Sequence, residues 1–329
     1  MNARQITIGV AGSGGMAVQR VSLFNRMAGV KVGAVFARHI EKMHASCARA
    51  RAQACTDYDT LLAAVDAVVI CLPNHLHADF ALRALRAGKH VLVEYPLCLS
   101  PAEARVLQAA AVRNGRVLMV GNTIIHEAMF RYLMRHRRRL GVLSSAASRV
   151  AFHGKTVAGR WYMNPRFTGP VFAALHYHHI EYYRHLLGAV KAVRAQDDSR
   201  PDHRRPGYKS LIGGTLHLEH AGGAASCIQW YLSAAGRGSP RGLWLNGAKG
   251  SLTIVSHGPD KSQLIWNGGE TRTNEVYIDE WGVAGSCRDF IAAIQGRLDH
   301  RARLQSDMLT LRVGWRATES ARRGWRLTC

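Results

Sequence analysis

A glycine-rich turn near the start of the chain limits the possible folds more than any other feature. The apolar run 6–11 has the composition of a buried parallel strand, and a helical stretch follows at 18–28. The turn between them is Gly12, Ser13, Gly14, Gly15, Met16, Ala17. In such a G-x-G-x-x-A pattern the small residues allow a tight turn, close approach of a pyrophosphate and close packing of helix on strand. The pattern predicts a dinucleotide-binding unit whose turn residues contact the cofactor.

Strand-like and helical segments then alternate up to residue 122. Apolar strand segments are predicted at 32–37, 67–72, 89–96 and 116–122, with helices between them. This alternation predicts an α/β domain with a doubly wound parallel sheet, in which ligands bind beyond the carboxyl ends of the strands. The residues expected there, and therefore predicted to contact the cofactor, are Leu72, Pro73, Asn74, His77, Glu94, Tyr95 and Asn122.

The end of the second strand indicates which dinucleotide is preferred. NAD-binding sequences usually carry an acid there, whereas this chain continues with Arg38 and His39. A guanidinium suits the 2′-phosphate of NADP, and a carboxylate would repel it. We therefore expect NADPH to be preferred over NADH; the alternative is that Arg38 is a surface arginine and that either cofactor binds.

The charge of the chain points to anionic ligands. The sequence has 44 Lys and Arg against 22 Asp and Glu, a net charge of +22. Such a field attracts a phosphorylated cofactor, an anionic substrate, an acidic peptide or nucleic acid. A genome rich in G and C would explain the abundance of Arg, but not the scarcity of acids. Because no helix-turn-helix, zinc-finger or RNP pattern accompanies the basic run 131–139, nucleic acid is not an expected partner.

Cysteine usage and hydropathy favour a protein of the cytoplasm. The seven cysteines are scattered and include no Cys-x-x-Cys pair, which predicts reduced thiols and no thiolate zinc site. No apolar run reaches the roughly 18 residues needed to cross a bilayer. The first residues do not have the pattern of a secretory signal.

These motifs together resemble the Gfo/Idh/MocA oxidoreductase family, named for glucose-fructose oxidoreductase and inositol dehydrogenase. The similarity continues into the second half of the chain, at 161–165, 175–188, 246–252 and 289–294. It implies a Rossmann domain at 1–122 and, at 123–329, an α+β domain with a large, mostly antiparallel open sheet. It also implies a homodimer or homotetramer formed through that sheet, and a final helical segment at about 307–321 that packs on the Rossmann domain.

Two departures from the family pattern bear on the chemistry. The family usually has Glu-Lys-Pro where this chain has Tyr95, and Glu-Tyr-Pro is similar to the biliverdin reductase branch. Many sugar dehydrogenases of the family carry an Asp four residues before a His. Here that His is His178, while Ala174 stands at the Asp position. The resemblance implies that His178 is an active-site group, although the lysine and the aspartate are absent.

A tyrosine in place of lysine favours reduction. The unperturbed pKa of tyrosine is about 10, so Tyr95 suits proton donation during reduction better than proton removal during oxidation. We predict Tyr95 and His178 as catalytic residues; the alternative for Tyr95 is an aromatic spacer beside the nicotinamide.

The substrate is expected along a loop and a helix of the second domain. Family members often contact substrate through the loop that here contains Tyr162, Asn164 and Arg166, while Tyr182 shares a helical face with His178 and His185. A metal on His176, His178 and Glu181 is not expected, since the spacing is not that of a His-Glu-x-x-His helix.

We therefore expect an NADPH-dependent reductase of a C=N, C=O or conjugated C=C bond in an anionic small-molecule or carrier-linked biosynthetic intermediate. Two alternatives stay open at this point. One is a nucleotide-sugar or polyol dehydrogenase of the same family. The other is a non-catalytic regulator that binds a dinucleotide.

Overall fold

The structure, a computed structural model, describes residues 5–37, 44–153, 159–233, 241–256, 261–267, 272–277 and 282–329. Residue contacts divide the chain into two compact units. The first unit holds the residues up to Asn122 together with Val283–Asp307, and the second holds Thr123–Gly282 and Met308–Cys329. Val283–Asp307 groups with the first unit because Cys287, Phe290 and Ile291 belong to the core of that unit. The packing of the segment at about 307–321 on the Rossmann domain stays a prediction.

The helices and strands of these ranges follow in chain order. The helices are α1 (Gly15–Asn25), α2 (His44–Ala50), α3 (Tyr58–Ala63), α4 (His77–Arg86), α5 (Pro101–Arg113), α6 (Ala128–His136), α7 (Pro165–Thr168), α8 (Val171–Ala174), α9 (Tyr177–Leu187), α10 (Val283–Ile294) and α11 (His300–Arg323). The strands are β1 (Ile6–Ala11), β2 (Val30–Phe36), β3 (Gln53–Cys55), β4 (Ala67–Ile70), β5 (His90–Val93), β6 (Leu118–Val120), β7 (Leu143–His153), β8 (Val190–Asp197), β9 (Arg200–Pro201), β10 (Lys209–His220), β11 (Ala225–Ser233), β12 (Arg241–Gly247), β13 (Gly250–Ser256), β14 (Lys261–Asn267), β15 (Arg272–Tyr277) and β16 (Leu327–Thr328).

In the first unit, the described strands form a six-stranded parallel sheet in the order β3-β2-β1-β4-β5-β6. This is the strand order of dinucleotide-binding folds, so the predicted doubly wound sheet is confirmed. The central strands are apolar along their length because helices cover both faces of such a sheet. On β4, for example, all four residues are buried. The carboxyl ends of β1, β4 and β5 consequently meet at one edge, where the glycine-rich turn begins.

The second unit is built on a sheet whose described strands number ten. Its order is β15-β14-β13-β12-β7-β11-β10-β8-β16, with β9 paired to β10. Strands β7 and β11 are parallel, and the other pairs are antiparallel, which confirms the predicted mostly antiparallel sheet. Along β10, Leu216 and Leu218 are buried whereas His217 and Glu219 are exposed. The buried face packs against α9, whose residue Ile180 lies in the same core.

Within the described ranges, no helix is at once long enough and apolar enough to cross a membrane.

Candidate active site

The turn between β1 and α1 has the shape that a dinucleotide phosphate requires. Gly12 has a φ of +135°, and a Cβ there would lie 2.4 Å from the carbonyl oxygen of Cys71. At Gly14 and Gly15, by contrast, a Cβ would meet no described atom within 4 Å. Among the described side chains, none caps the amino terminus of α1, and its first turn carries no acid. Free N–H groups at the positive end of an eleven-residue helix fit a pyrophosphate, and Ala17, only 2% exposed, lets that helix pack closely.

His77 joins the two loops that follow β4 and β5. It is fully buried, its Nδ1 lies 2.7 Å from the carbonyl oxygen of Pro96, and its Nε2 lies 2.7 Å from that of Leu72. Burial lowers the pKa of His77, although both carbonyl contacts favour the protonated ring. The structure places the side chain between two backbone segments, where it positions the loops that carry Pro73 and Tyr95. The predicted contact of His77 with the cofactor stays a prediction.

Glu94 forms a buried ion pair at the end of β5. Its Oε1 accepts a hydrogen bond from Nε of Arg20 at 2.8 Å, and the Arg20 side chain is fully buried. Nη1 of Arg20 also donates to Oγ of Ser286 at 2.5 Å and to the carbonyl oxygen of Val283 at 3.2 Å. A Cβ at Gly121 would lie 2.8 Å from Nη2 of Arg20. The carboxylate predicted to face the cofactor thus ties together α1, the end of β5 and the start of α10.

The other predicted cofactor residues lie at the same edge of the sheet. Asn74 is 7% exposed, and Nδ2 of Asn122 donates to Oδ1 of Asp307 at 3.0 Å. Tyr95 is half-buried in the loop directly after Glu94. Arg38 and His39 lie outside the described residues, so the predicted contact with a 2′-phosphate remains a prediction.

The second unit contains a cavity of about 160 Å³ between α9 and the sheet. Its walls come from the segment 124–129, from α9, and from strands β7, β12 and β13. The polar residues that line it are Glu127, Ser148, His178, His179, Tyr182 and Tyr183. None of the described lining residues is Arg or Lys. Two residues predicted from the sequence, His178 and Tyr182, are therefore brought together here.

Burial keeps the ionisable groups of this cavity protonated or uncharged. It lowers the pKa of His178 to about 3, with neighbouring His179 acting in the same direction. It raises the pKa of Tyr182 well above its usual value, and the Glu127 carboxylate raises it further. Burial alone raises the pKa of Glu127 to about 7. At neutral pH the cavity therefore offers a neutral imidazole, a phenol that retains its proton and a carboxyl group that is partly protonated.

Tyr182 is a hydrogen-bond donor without an acceptor in the part of the chain that the structure describes. It is 8% exposed, and its hydroxyl is buried. A buried polar group left without a partner costs about 1–3 kcal/mol, so a ligand that accepts this hydrogen bond would be favoured. The hydroxyl and the protonated form of the Glu127 carboxyl group are two of the donors that line this cavity.

The predicted substrate loop is not part of this cavity. Oδ1 of Asn164 accepts from the backbone N–H of Arg166 at 3.0 Å and caps α7. The carbonyl oxygen of Tyr162 accepts from Oγ1 of Thr168 at 2.6 Å, and Arg166 is exposed. None of the three predicted residues lines the cavity.

Three other polar side chains in or next to α9, those of His176, Glu181 and His185, have partners outside the cavity lining. Nε2 of His176 lies 3.3 Å from the carbonyl oxygen of Gly214. Glu181, 1% exposed, accepts from Arg184 and His185, both at 2.9 Å. His185, expected on the face of His178 and Tyr182, is therefore directed to Glu181. Among the described residues, no three His, Cys, Asp or Glu side chains are arranged to hold a metal.

Sequence reasoning missed two residues, Arg20 and Glu127. Arg20 occupies a helix position at which arginine is usually exposed. The one feature of the sequence that could have indicated a buried Arg20 is Glu94, because a carboxylate in a buried loop needs a cationic partner. Glu127 directly precedes α6 and looks like an ordinary acid near a helix start. Its contact with the cavity depends on non-local packing.

Comparison with known proteins identifies the family to which both halves of the chain are similar. Residues 6–122 match the Gfo/Idh/MocA oxidoreductase family, NAD-binding Rossmann fold, and residues 137–326 match its C-terminal alpha/beta domain. A 4-carboxy-2-hydroxymuconate-6-semialdehyde dehydrogenase of Sphingobium sp. is 34% identical over 119 residues, which cover 35% of this chain and 38% of that protein. A dTDP-3,4-didehydro-2,6-dideoxy-alpha-D-glucose 3-reductase of Streptomyces violaceoruber is 38% identical over 130 residues, 39% of this chain and 38% of that protein.

These alignments span less than two fifths of the length of either relative. A solved structure of biliverdin reductase from Synechocystis sp., in complex with biliverdin and NADP+, has a TM-score of 0.87 at 20% identity. The match covers 96% of this chain and 99% of that chain, and at this identity it is a likeness of fold. Since the two family domains together account for most of the sequence, the chain belongs to the Gfo/Idh/MocA family of NAD(P)-dependent oxidoreductases.

Proposed function

We propose that the protein is an NADPH-dependent reductase that acts on a C=N, C=O or conjugated C=C bond. The observation that carries this proposal is the protonation state of the cavity. Oxidation of an alcohol needs a base that removes the hydroxyl proton, whereas reduction needs an acid that supplies one. A pKa of about 3 makes His178 a poor base at neutral pH. The partly protonated Glu127 carboxyl group can donate a proton, and the Tyr182 hydroxyl, whose raised pKa keeps its proton in place, can donate a hydrogen bond.

The first unit would contribute the cofactor and a further donor. The glycine-rich turn fits the pyrophosphate, and Arg38 would hold a 2′-phosphate. A bound nicotinamide would supply the hydride. Tyr95, in the loop after β5, would donate a hydrogen bond or a proton to the substrate atom that becomes more basic as it is reduced.

The lining of the cavity indicates which part of a substrate enters it. A volume of about 160 Å³ is smaller than typical small-molecule sites, so it would take only a portion of the substrate. Ile124, Val150 and Leu243 make much of the wall apolar. Because the described lining has no cation, that portion would be uncharged, and an anionic group favoured by the net charge of +22 would lie outside it.

The test is NADPH consumption with a panel of cyclic imines, ketones, conjugated enones and bilins. We expect at least one class to be reduced, and Tyr95→Phe to lower kcat by about 10²- to 10⁴-fold with NADPH affinity retained. Tyr208→Phe, at a half-buried tyrosine of the second unit outside the cavity lining, serves as the control. NADPH binding without turnover of any class, together with unchanged behaviour of Tyr95→Phe, would favour the non-catalytic regulator instead.

One alternative substrate class is favoured by a specific similarity. The Streptomyces relative acts, by its name, on a dTDP-linked keto sugar. Keto and hydroxy forms of nucleotide sugars therefore belong in the same panel, tested with NADPH and NADP+ respectively. Faster oxidation of the hydroxy sugars than reduction of any unsaturated compound would favour a dehydrogenase and contradict the proposed direction.

We also propose that the open sheet mediates a homodimer or homotetramer. Trp244 on β12 is 40% exposed, whereas the next residue, Leu245, is fully buried on the opposite face. Tryptophan is among the residue types enriched at protein–protein interfaces. Light scattering of the wild type and of Trp244→Lys tests this, and a monomeric wild type would contradict it.

A further inference from the structure

The amino-terminal edge of the first unit's sheet has a cavity of about 470 Å³. Residues at or just before the starts of four neighbouring strands line it, together with the end of α10. The lining residues with polar side chains are Gln5, Asp66, Lys89, His90, Arg116 and Gln295. From these residues we infer a second ligand site in the protein, one that binds a small oxyanion, either a carboxylate or a phosphate.

This cavity lies far from the glycine-rich turn. Strand β1 begins at Ile6, which lines the cavity, and ends at Ala11, which precedes the turn. A strand of six residues is about 20 Å long. An anion in the cavity would therefore occupy a different place from the pyrophosphate of a dinucleotide, at the opposite edge of the same sheet.

The two cations of the cavity have no carboxylate partner among the described residues. Nζ of Lys89 donates to the carbonyl oxygen of Val65 at 2.8 Å. Among the described residues, the Arg116 guanidinium makes its polar contact with His90: Nη1 of Arg116 lies 3.5 Å from Nε2 of His90. The nearby Asp66 carboxylate accepts from the backbone N–H of Thr7 at 2.9 Å. Two cations against one carboxylate leave the lining positive.

His90 adds a third donor directed at the same place. Its Nδ1 accepts from the backbone N–H of Val117 at 3.1 Å, which places the proton of the neutral ring on Nε2. Nε2–H and Nη1 of Arg116 are thus two donors that face each other. An oxygen atom bound between them would accept from both and remove their repulsion. Burial lowers the pKa of His90 to about 4, as do the charges of Arg116 and His300, while Asp66 opposes them.

The buried part of Arg116 supports the same assignment. Its Nε is buried and has no acceptor among the described residues, a cost that an anion close to the guanidinium would offset electrostatically. A planar guanidinium binds carboxylate and phosphate with two parallel hydrogen bonds. The volume lies within the range of small-molecule sites, and the amides of Gln5 and Gln295 can bind hydroxyl groups of the same ligand.

The experiment is isothermal titration of the full chain saturated with NADP+, so that the turn after β1 is occupied. The probes are inorganic phosphate, sulfate and malonate, each titrated at constant ionic strength against a chloride blank. We expect saturable binding of one stoichiometric anion to the wild type. Tighter binding of malonate than of phosphate identifies a carboxylate site, and the reverse order identifies a phosphate site.

The variants are Arg116→Gln and Lys89→Gln, with Arg113→Gln as the matched control, because Arg113 is an exposed arginine outside the cavity. We expect Arg116→Gln to weaken binding at least tenfold, Lys89→Gln to weaken it several-fold, and Arg113→Gln to leave it unchanged. Unchanged affinity for NADP+ in each variant shows that the unit is folded. The inference is overturned if none of the three anions saturates the wild type, or if both cavity variants bind as tightly as Arg113→Gln.

Discussion

The buried pair of Arg20 and Glu94 makes a prediction that can be worked out from the structure. Substitution Glu94→Gln keeps the shape of the side chain and removes its charge. Arg20 then remains fully buried with a positive charge and no negative partner in contact; besides the substituted side chain, its described partners are the Ser286 hydroxyl, the Cys287 sulfur and one carbonyl oxygen. Removing one partner of a buried ion pair costs about 3–5 kcal/mol because the other charge is left uncompensated.

The expected size of the effect is at the lower end of that range. The amide oxygen of the substituted side chain could still accept from Nε of Arg20, so we expect a loss of about 3 kcal/mol. For a unit of this size, 1 kcal/mol corresponds to about 2–4 °C in Tm, which gives a decrease of about 6–12 °C. The double variant Arg20→Met, Glu94→Gln should lose less, because no buried charge remains.

The assay is differential scanning calorimetry at pH 7, with the transition of the first unit identified by its increase on addition of NADP+. The control is Asp59→Asn, which removes the same charge from the exposed pair of Asp59 and Arg83 in the same unit. Exposed pairs contribute about 0–1 kcal/mol, so this variant should change little. If Glu94→Gln lowers Tm no more than Asp59→Asn does, the buried pair is not what holds this edge of the sheet together.

Three further predictions concern packing, the turn and pH. Gly314→Ala places a Cβ 2.5 Å from Cα of Ala173 and should lower the free energy of unfolding of the second unit by about 1–3 kcal/mol, measured by urea unfolding. The control Gly222→Ala should not lower it, because no described atom lies within 4 Å of the added Cβ. Gly12→Ala should lower both Tm and NADPH affinity because its φ is positive and Cys71 blocks the Cβ, whereas Gly14→Ala should lower affinity alone. Burial lowers the pKa of His176 to about 4, below an unfolded value of about 6.5. Between these two pKa values the folded chain binds fewer protons than the unfolded chain, so its free energy of unfolding decreases as the pH falls from about 6.5 to about 4. The expected loss at pH 5 is about 2 kcal/mol. A second-unit Tm with the same pH dependence in His176→Gln as in the wild type would contradict the last prediction.

The fold was predictable from the sequence because its signals are local. The turn at Gly12–Ala17 follows an apolar strand and precedes a helix, and each of its small residues has a steric reason that the structure reproduces. A parallel sheet covered by helices on both faces follows from the alternation of strands and helices, because each right-handed crossover returns the chain over the sheet. The placement of α10 was not predictable, since the pattern of apolar residues in 283–294 fits any apolar surface.

The candidate site was predictable only where a side chain and its neighbours share one element. His178 and Tyr182 are four residues apart on α9, and both line the cavity. Glu127 reaches the same cavity from the segment before α6, and its pKa of about 7 is a consequence of burial that no local pattern encodes. His77 and Glu94 show the converse: their types suggested ligand contacts, which stay predictions, and no local pattern indicated the partners that the structure shows for them, Pro96 and Arg20.

The net charge of +22 illustrates why composition predicts a class of ligand but not its location. Arginine side chains that pair with carboxylates, such as Arg20 with Glu94, Arg184 with Glu181 and Arg326 with Glu219, contribute little attraction for a ligand because their fields are largely cancelled. The cavity of the second unit has no cation in its described lining, so the excess charge does not act there directly. Arg116, by contrast, contacts the neutral ring of His90 and no described carboxylate, and a cation in such a concave surface attracts an anion. The oxyanion site gives the excess of basic residues a local consequence on the first unit, at the edge of the sheet opposite the glycine-rich turn.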